Sequence, residues 1–186
     1  NGRIDIMTHK SLILGALFSV AAASSALAHA TLEGREAKVG STYKAVLRVP
    51  HGCAGAPTLK VRVKIPEGFI AVKPMPKAGW TLETVKGKYA KTYDYYGTPL
   101  SEGVTEVVWT GKLLDEHYDE FVFRGSFVKD LKPDTVFYFP AVQECEAAAE
   151  RWIEIPAAGQ SSDDLKFPAP GVKLLVTSRE RLNVQW

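Results

Sequence analysis

From Thr42 the chain alternates, with Tyr43, Ala45, Leu47 and Val49 apolar and Thr42, Lys44 and Arg48 polar. A period of two predicts a strand that buries one face. Leu59, Val61, Val63 and Ile65 set against Lys60, Arg62 and Lys64 repeat the pattern, and Pro66-Glu67-Gly68 stops it. Further apolar or aromatic runs lie near 69–73, 80–85, 89–95, 104–110, 119–128, 135–140 and 150–155. Gly, Pro, Asp and Lys clusters separate them at spacings of roughly ten residues, the rhythm of an all-β domain. Pro50, Pro66, Pro74, Pro76, Pro99, Pro133, Pro140 and Pro156 fall at the ends of these runs or between them, where a missing N–H does least harm to a sheet. No helical stripe appears after residue 28. The expected fold is an all-β antiparallel β-sandwich with one face of each sheet inward. Phe121, Phe123, Phe127, Phe137, Tyr138 and Phe139 are expected to fill its core. Tyr89, Tyr93, Tyr95 and Tyr96 sit among lysines without a continuous apolar face and predict an exposed hairpin, with a ligand-stacking surface as the alternative.

The first stretch obeys different rules. Met7 opens a basic segment, Thr8-His9-Lys10; an apolar run from Leu12 to Ala23 comes next, and Ser24-Ser25-Ala26-Leu27-Ala28 ends it. Basic, apolar and small-residue regions in that order describe a cleavable secretory signal, cut after Ala28. The run is short for a membrane span, which needs roughly 20 apolar residues. Residues 1–6 precede the expected start at Met7. The expected division is therefore 1–28 removed, 29–170 as the folded domain, and 171–186 as a C-terminal tail that starts as a weak strand and ends in Arg179, Glu180 and Arg181.

Composition then narrows the chemistry. Lys and Arg total 23 against 21 Asp and Glu, so no large field invites nucleic acid or an anionic membrane. Loss of Arg3, Asp5 and Lys10 with the signal leaves the mature chain almost neutral. Four histidines and two cysteines are too few for zinc fingers, Fe–S clusters or a His-rich cage. In an oxidising compartment Cys53 and Cys145 are most simply a disulfide, closing a loop of about 93 residues. Two thiolate ligands for a soft metal are the alternative, although neither cysteine belongs to a C-x-x-C pair.

Cleavage after Ala28 makes His29 the first residue, and its α-amine and imidazole Nδ1 can then close one chelate ring. Two nitrogens from one residue suit Cu(II), which tops the divalent affinity series and favours tetragonal N/O coordination. Further ligands are scarce. His51 follows Pro50 at a strand end, where a turn residue is expected, and His117 lies in the polar loop Asp115-Glu116-His117-Tyr118-Asp119. Glu120, where that loop enters the Phe121–Phe127 run, is the preferred carboxylate. No Cys/Met pair tunes a redox couple, since Met75 stands alone, so weak retention of Cu(I) and release on reduction are expected.

Several strings occur in order: Pro50-His51-Gly52-Cys53, Gly55-Ala56-Pro57-Thr58 through Ile65-Pro66-Glu67-Gly68, Lys73-Pro74 through Gly79-Trp80, Asp119-Glu120-Phe121, Tyr138-Phe139-Pro140-Ala141-Val142-Gln143 with Cys145, and Trp152-Ile153-Glu154-Ile155-Pro156. Together they resemble the YcnI-like family of exported copper-binding proteins over about 29–175. The resemblance implies an immunoglobulin/cupredoxin-like β-sandwich holding one Cu(II) at the mature N-terminus through a single-histidine brace. It also implies a carboxylate ligand and a tryptophan near the metal. Carried onto this chain, His29 supplies amine and imidazole, Glu120 the carboxylate, and Trp152 the aromatic neighbour, with Trp80 and Trp109 competing for the last role. The chain departs from the family in Ala30, where a β-branched residue is usual, and in lacking the C-terminal membrane helix of some relatives.

The function expected from these residues is non-catalytic: an envelope protein, periplasmic or extracellular, that binds a copper ion during acquisition, trafficking or homeostasis. Its partners would be copper-handling envelope proteins, a chaperone or a membrane transporter. One alternative is a copper oxygenase whose brace adds His51 or His117 to His29. Another is a metal-free interaction module that presents the tyrosine-rich hairpin. No Ser/His/Asp order, phosphate loop or paired-carboxylate spacing suggests hydrolysis.

Overall fold

The computed structural model describes residues 29–177, so the expected signal and the last residues of the tail lie outside the described part. Strands dominate, with one 3-10 turn at Ser162–Asp164. The alternating segment predicted at Thr42 is strand β3 (Thr42–Val49) of a four-stranded sheet. It lies between β1 (Thr31–Leu32) and β8 (Asp119–Phe127), with β5 (Phe69–Pro74) beyond β8. The facing sheet runs β11 (Ala149–Trp152), β10 (Ala141–Cys145), β4 (Thr58–Lys64), β7 (Thr98–Leu113) and β6 (Thr81–Tyr95). Three short strands, β2 (Glu36–Lys38), β12 (Gly171–Leu175) and β9 (Val136–Tyr138), form a third.

The apolar half of each alternation points inward. Ala45, Leu47, Phe121 and Phe123 from one sheet meet Val61, Val63, Val107 and Trp109 from the other, all at most 2% exposed. Phe69 is fully buried and touches Tyr43, Phe123, Phe127, Phe137 and Phe139 at centroid distances of 4.8 to 6.4 Å. Gly125 makes room for it, since a Cβ there would stand 2.5 Å from the Phe69 ring. The sandwich with an aromatic core is as expected from the sequence.

Three expectations need correction. The runs at 80–85 and 89–95 are a single strand, β6, which pairs with β7 to form a long hairpin. Tyr96 and Gly97 turn it with φ of 52° and 82°, both positive as a two-residue turn between twisted strands requires. The segment 141–145 is a strand that pairs with both β4 and β11, whereas 150–155 is strand only as far as Trp152. Residues 171–175 belong to the domain, not to a tail, because Val172 and Leu174 are buried at 0% and 1% exposure. Both facing sheets are antiparallel as expected, and the one parallel pair, β12 with β2, lies in the small third sheet.

The covalent expectation is met. Cys53 and Cys145 form a disulfide with an S–S distance of 2.08 Å, stapling the loop before β4 to the end of β10. Both thiols are consumed, which removes the soft-metal alternative.

Candidate metal centre

His29 is held at the mouth of the sandwich by the three residues after it. Ala30 and Leu32 are buried, and β1 pairs Thr31 with Arg48 and Leu32 with Leu47. The His29 ring then lies against Trp152, with centroids 5.9 Å apart and planes tilted by 58°. Trp152 closes β11 and is 1% exposed, and Phe167 packs edge-on against it at 5.2 Å. A cleft of about 360 Å³ opens beside His29 between Arg35, Tyr138, Gln160 and Asp163, so the imidazole is reached from solvent while the indole is not.

The indole is anchored from behind. Its Nε1–H donates to Gln143 Oε1 at 3.2 Å, and Gln143 Nε2 donates to the His51 carbonyl at 2.6 Å and to Thr58 Oγ1 at 2.7 Å. The other two candidates, Trp109 and Trp80, have different duties. Trp109 is fully buried mid-strand and donates to the Met75 carbonyl at 3.3 Å, and Trp80 stands edge-on to Phe121 at 4.9 Å. Of the three candidates, Trp152 is the one in ring contact with His29.

Glu120 is placed elsewhere. Phe121 and Phe123 take the inner face of β8, so Glu120 points to the outer face, in register with Arg48, which is itself in register with Thr31. Two strand spacings, about 10 Å, separate the Thr31 and Glu120 backbones. The carboxylate lies 3.5 Å from Arg48 Nε and accepts a hydrogen bond from the Tyr118 hydroxyl, a bond that raises the Tyr118 pKa above the usual phenol value. The structure thus brings His29 and Trp152 together and leaves Glu120 on the other side of Arg48. His51 is spent locally, its Nδ1–H donating to the Gly52 carbonyl at 2.6 Å, and exposed His117 stands 3.8 Å from Glu116.

One acid escaped the sequence reading. Glu150 is two residues before Trp152 on β11 and therefore shares its inward face, opposite Gln143. Its Oε2 is buried with no hydrogen-bond partner, and burial holds its carboxyl above the ordinary carboxylate pKa, partly offset by His51. An orphaned carboxylate oxygen is what a cation would relieve. The only sequence signal was its i, i+2 spacing from Trp152. Among the described residues no group of three or more His, Cys, Asp or Glu side chains is gathered tightly enough to hold a metal by itself.

The family model for a domain of unknown function, DUF1775, matches residues 29–174. The chain belongs to the DUF1775 family. This DUF1775 domain begins its match on His29, the residue immediately after the expected end of the signal. A search of curated proteins finds no match. Among solved structures, the DUF1775 domain is similar to an uncharacterized protein from Nocardia farcinica whose crystal structure reveals an immunoglobulin-like fold. The two superpose with a TM-score of 0.57 at 22% identity, over 79% of this chain and 98% of that one. At that identity the likeness concerns the fold, and it agrees with the sandwich described above.

Proposed function

We propose that this DUF1775 domain is an exported, non-catalytic protein that carries one Cu(II) at His29. The observation that carries the proposal is the His29 imidazole lying against the buried indole of Trp152 at the first residue of the family match. Once Ala28 is removed, the α-amine and Nδ1 of His29 supply two nitrogens in one chelate ring. A carboxylate oxygen offsets part of the dication's charge. Glu150, one inward position from Trp152 with a buried oxygen that makes no hydrogen bond, is one candidate donor, and Glu120, which would first have to leave Arg48, is the other. The indole shields one side of the metal from water, while the cleft beside Arg35 and Tyr138 leaves another side open to an exchanging partner.

Export agrees with a disulfide-bonded domain, and among the described residues no helix is long and apolar enough to cross a membrane. The expected partners are copper donors and acceptors of the cell envelope.

Competition titration of the mature protein with Cu(II) tests the proposal. His29→Ala should abolish tight binding, and one of Glu150→Gln and Glu120→Gln should weaken it, which identifies the carboxylate ligand. His51→Ala and His117→Ala should leave it intact. Binding that survives His29→Ala, or that disappears with His51→Ala, would refute the single-histidine brace and favour a two-histidine site of the oxygenase type.

A further inference from the structure

Gln143 is a polar side chain in an apolar place. It is 1% exposed on the inward face of β10, beside Ala141 and opposite the core valines of β4. A buried amide is destabilising unless its donors and acceptors are matched, and here the matching goes to particular atoms. The indole Nε1–H of Trp152 can only donate and the His51 carbonyl can only accept. The amide must therefore turn Oε1 to Trp152 and Nε2 to His51, which fixes its orientation by chemistry. Its hydrogen bonds, at 2.6, 2.7 and 3.2 Å, run from the loop before β4 to the ring that touches His29.

The disulfide reinforces this path. Cys145 is two residues after Gln143 on β10, and Cys53 is two residues after His51 in the loop, so the covalent bridge staples the same two segments that the amide joins. An apolar side chain of similar volume would pack the core as well but would leave the indole free to change its tilt. We infer that Gln143 is a positioning residue of the metal site, holding the Trp152 indole in the pose it presents to His29. The inference rests on the copper proposal for its functional consequence, while the clasp itself is testable without metal.

The experiment compares wild-type mature protein with Gln143→Leu, Gln143→Glu and Thr58→Val. In the metal-free proteins, solvent exchange of the Trp152 indole proton is followed by NMR, its resonance being identified from Trp152→Phe. Cu(II) affinity and the EPR spectrum are measured in parallel. Gln143→Leu should speed indole exchange at least tenfold, shift the EPR parameters and weaken Cu(II) binding by about 10- to 100-fold, the range for loss of an outer-shell partner. Gln143→Glu keeps an oxygen for Trp152 but loses the donor to the His51 carbonyl and Thr58, so its indole exchange and EPR shift should fall between wild type and Gln143→Leu. Thr58→Val removes one of the amide's anchors and should give a smaller change in the same direction, which keeps the idea testable should Gln143→Leu fail to fold. Unchanged exchange and an unchanged spectrum in the folded variants, with only the melting temperature lowered, would reduce Gln143 to a packing residue. A wild-type protein that binds no Cu(II) would overturn the copper proposal as well, a distinct result.

Discussion

Opening the Cys53–Cys145 bridge is the most quantitative perturbation the fold offers. The cysteines are 92 positions apart, and the chain-entropy relation for a loop of that length gives about 4.6 kcal/mol of stabilisation at 25 °C. A domain of this size has roughly 5–15 kcal/mol in all, so the bridge accounts for a third or more of its stability. The relation also says where the effect lies: in the unfolded chain, which gains freedom once the link is cut. Urea unfolding monitored by near-UV circular dichroism, with and without a dithiol reductant, reads both consequences. The midpoint should fall by the equivalent of about 3–5 kcal/mol, and the denaturant slope should rise as the unfolded chain expands. The Cys53→Ala/Cys145→Ala double variant should behave like the reduced protein. A loss below about 1 kcal/mol with an unchanged slope would refute the entropic account and mean that the strand network restrains these segments equally well without the bond.

Three other outcomes rest on particular residues. Phe69→Ala should destabilise the domain by about 3–5 kcal/mol in urea titration, because its ring meets five other aromatics that cannot all move to refill the space; a loss under about 1 kcal/mol would contradict the assigned core. Burial, helped by the charge of Glu33, pushes the Tyr43 pKa up to about 12 from the ordinary phenol value of 10.0. The folded state therefore keeps a proton that the unfolded state releases, so stability is full below pH 10 and declines from there toward about 12, by on the order of 2–3 kcal/mol; Tyr43→Phe should flatten that decline in pH-dependent melting. With no Cys/Met pair at the site, Cu(II) should be held more tightly than Cu(I) in competition titrations, and equal affinities would contradict release on reduction.

Alternation along the chain made β3 and β4 readable, because Tyr43, Ala45, Leu47 and Val49 and then Leu59, Val61 and Val63 recur at every second position. β10 was not readable, because Gln143 occupies an inward position where the pattern calls for an apolar side chain, and only its three hydrogen bonds explain why it is tolerated there. β1 and β2 are too short to establish a period, and β12, readable only as a weak strand, joins the domain through a parallel pairing with β2 that depends on distant chain segments meeting. At the candidate site, the cleavage pattern singled out His29 and a family resemblance singled out Trp152, and the structure sets their rings 5.9 Å apart. Glu120 was reasonable as an acid at a strand entrance, but the inward claim of Phe121 and Phe123 turns it to the outer face beside Arg48. Glu150 gave almost no sign, since a buried acid and a solvated one look alike until their surroundings are known.

The central claim is that the α-amine of His29 is a copper ligand. EPR spectroscopy of Cu(II) bound to protein beginning at His29, compared with the same protein acetylated on the His29 α-amine, tests it most directly. The first should show one tetragonal Cu(II) whose spectrum carries coupling to two nitrogens. The second, in which that nitrogen is an amide, should lose this species and bind far more weakly. Identical spectra and affinities from the two proteins would contradict the claim.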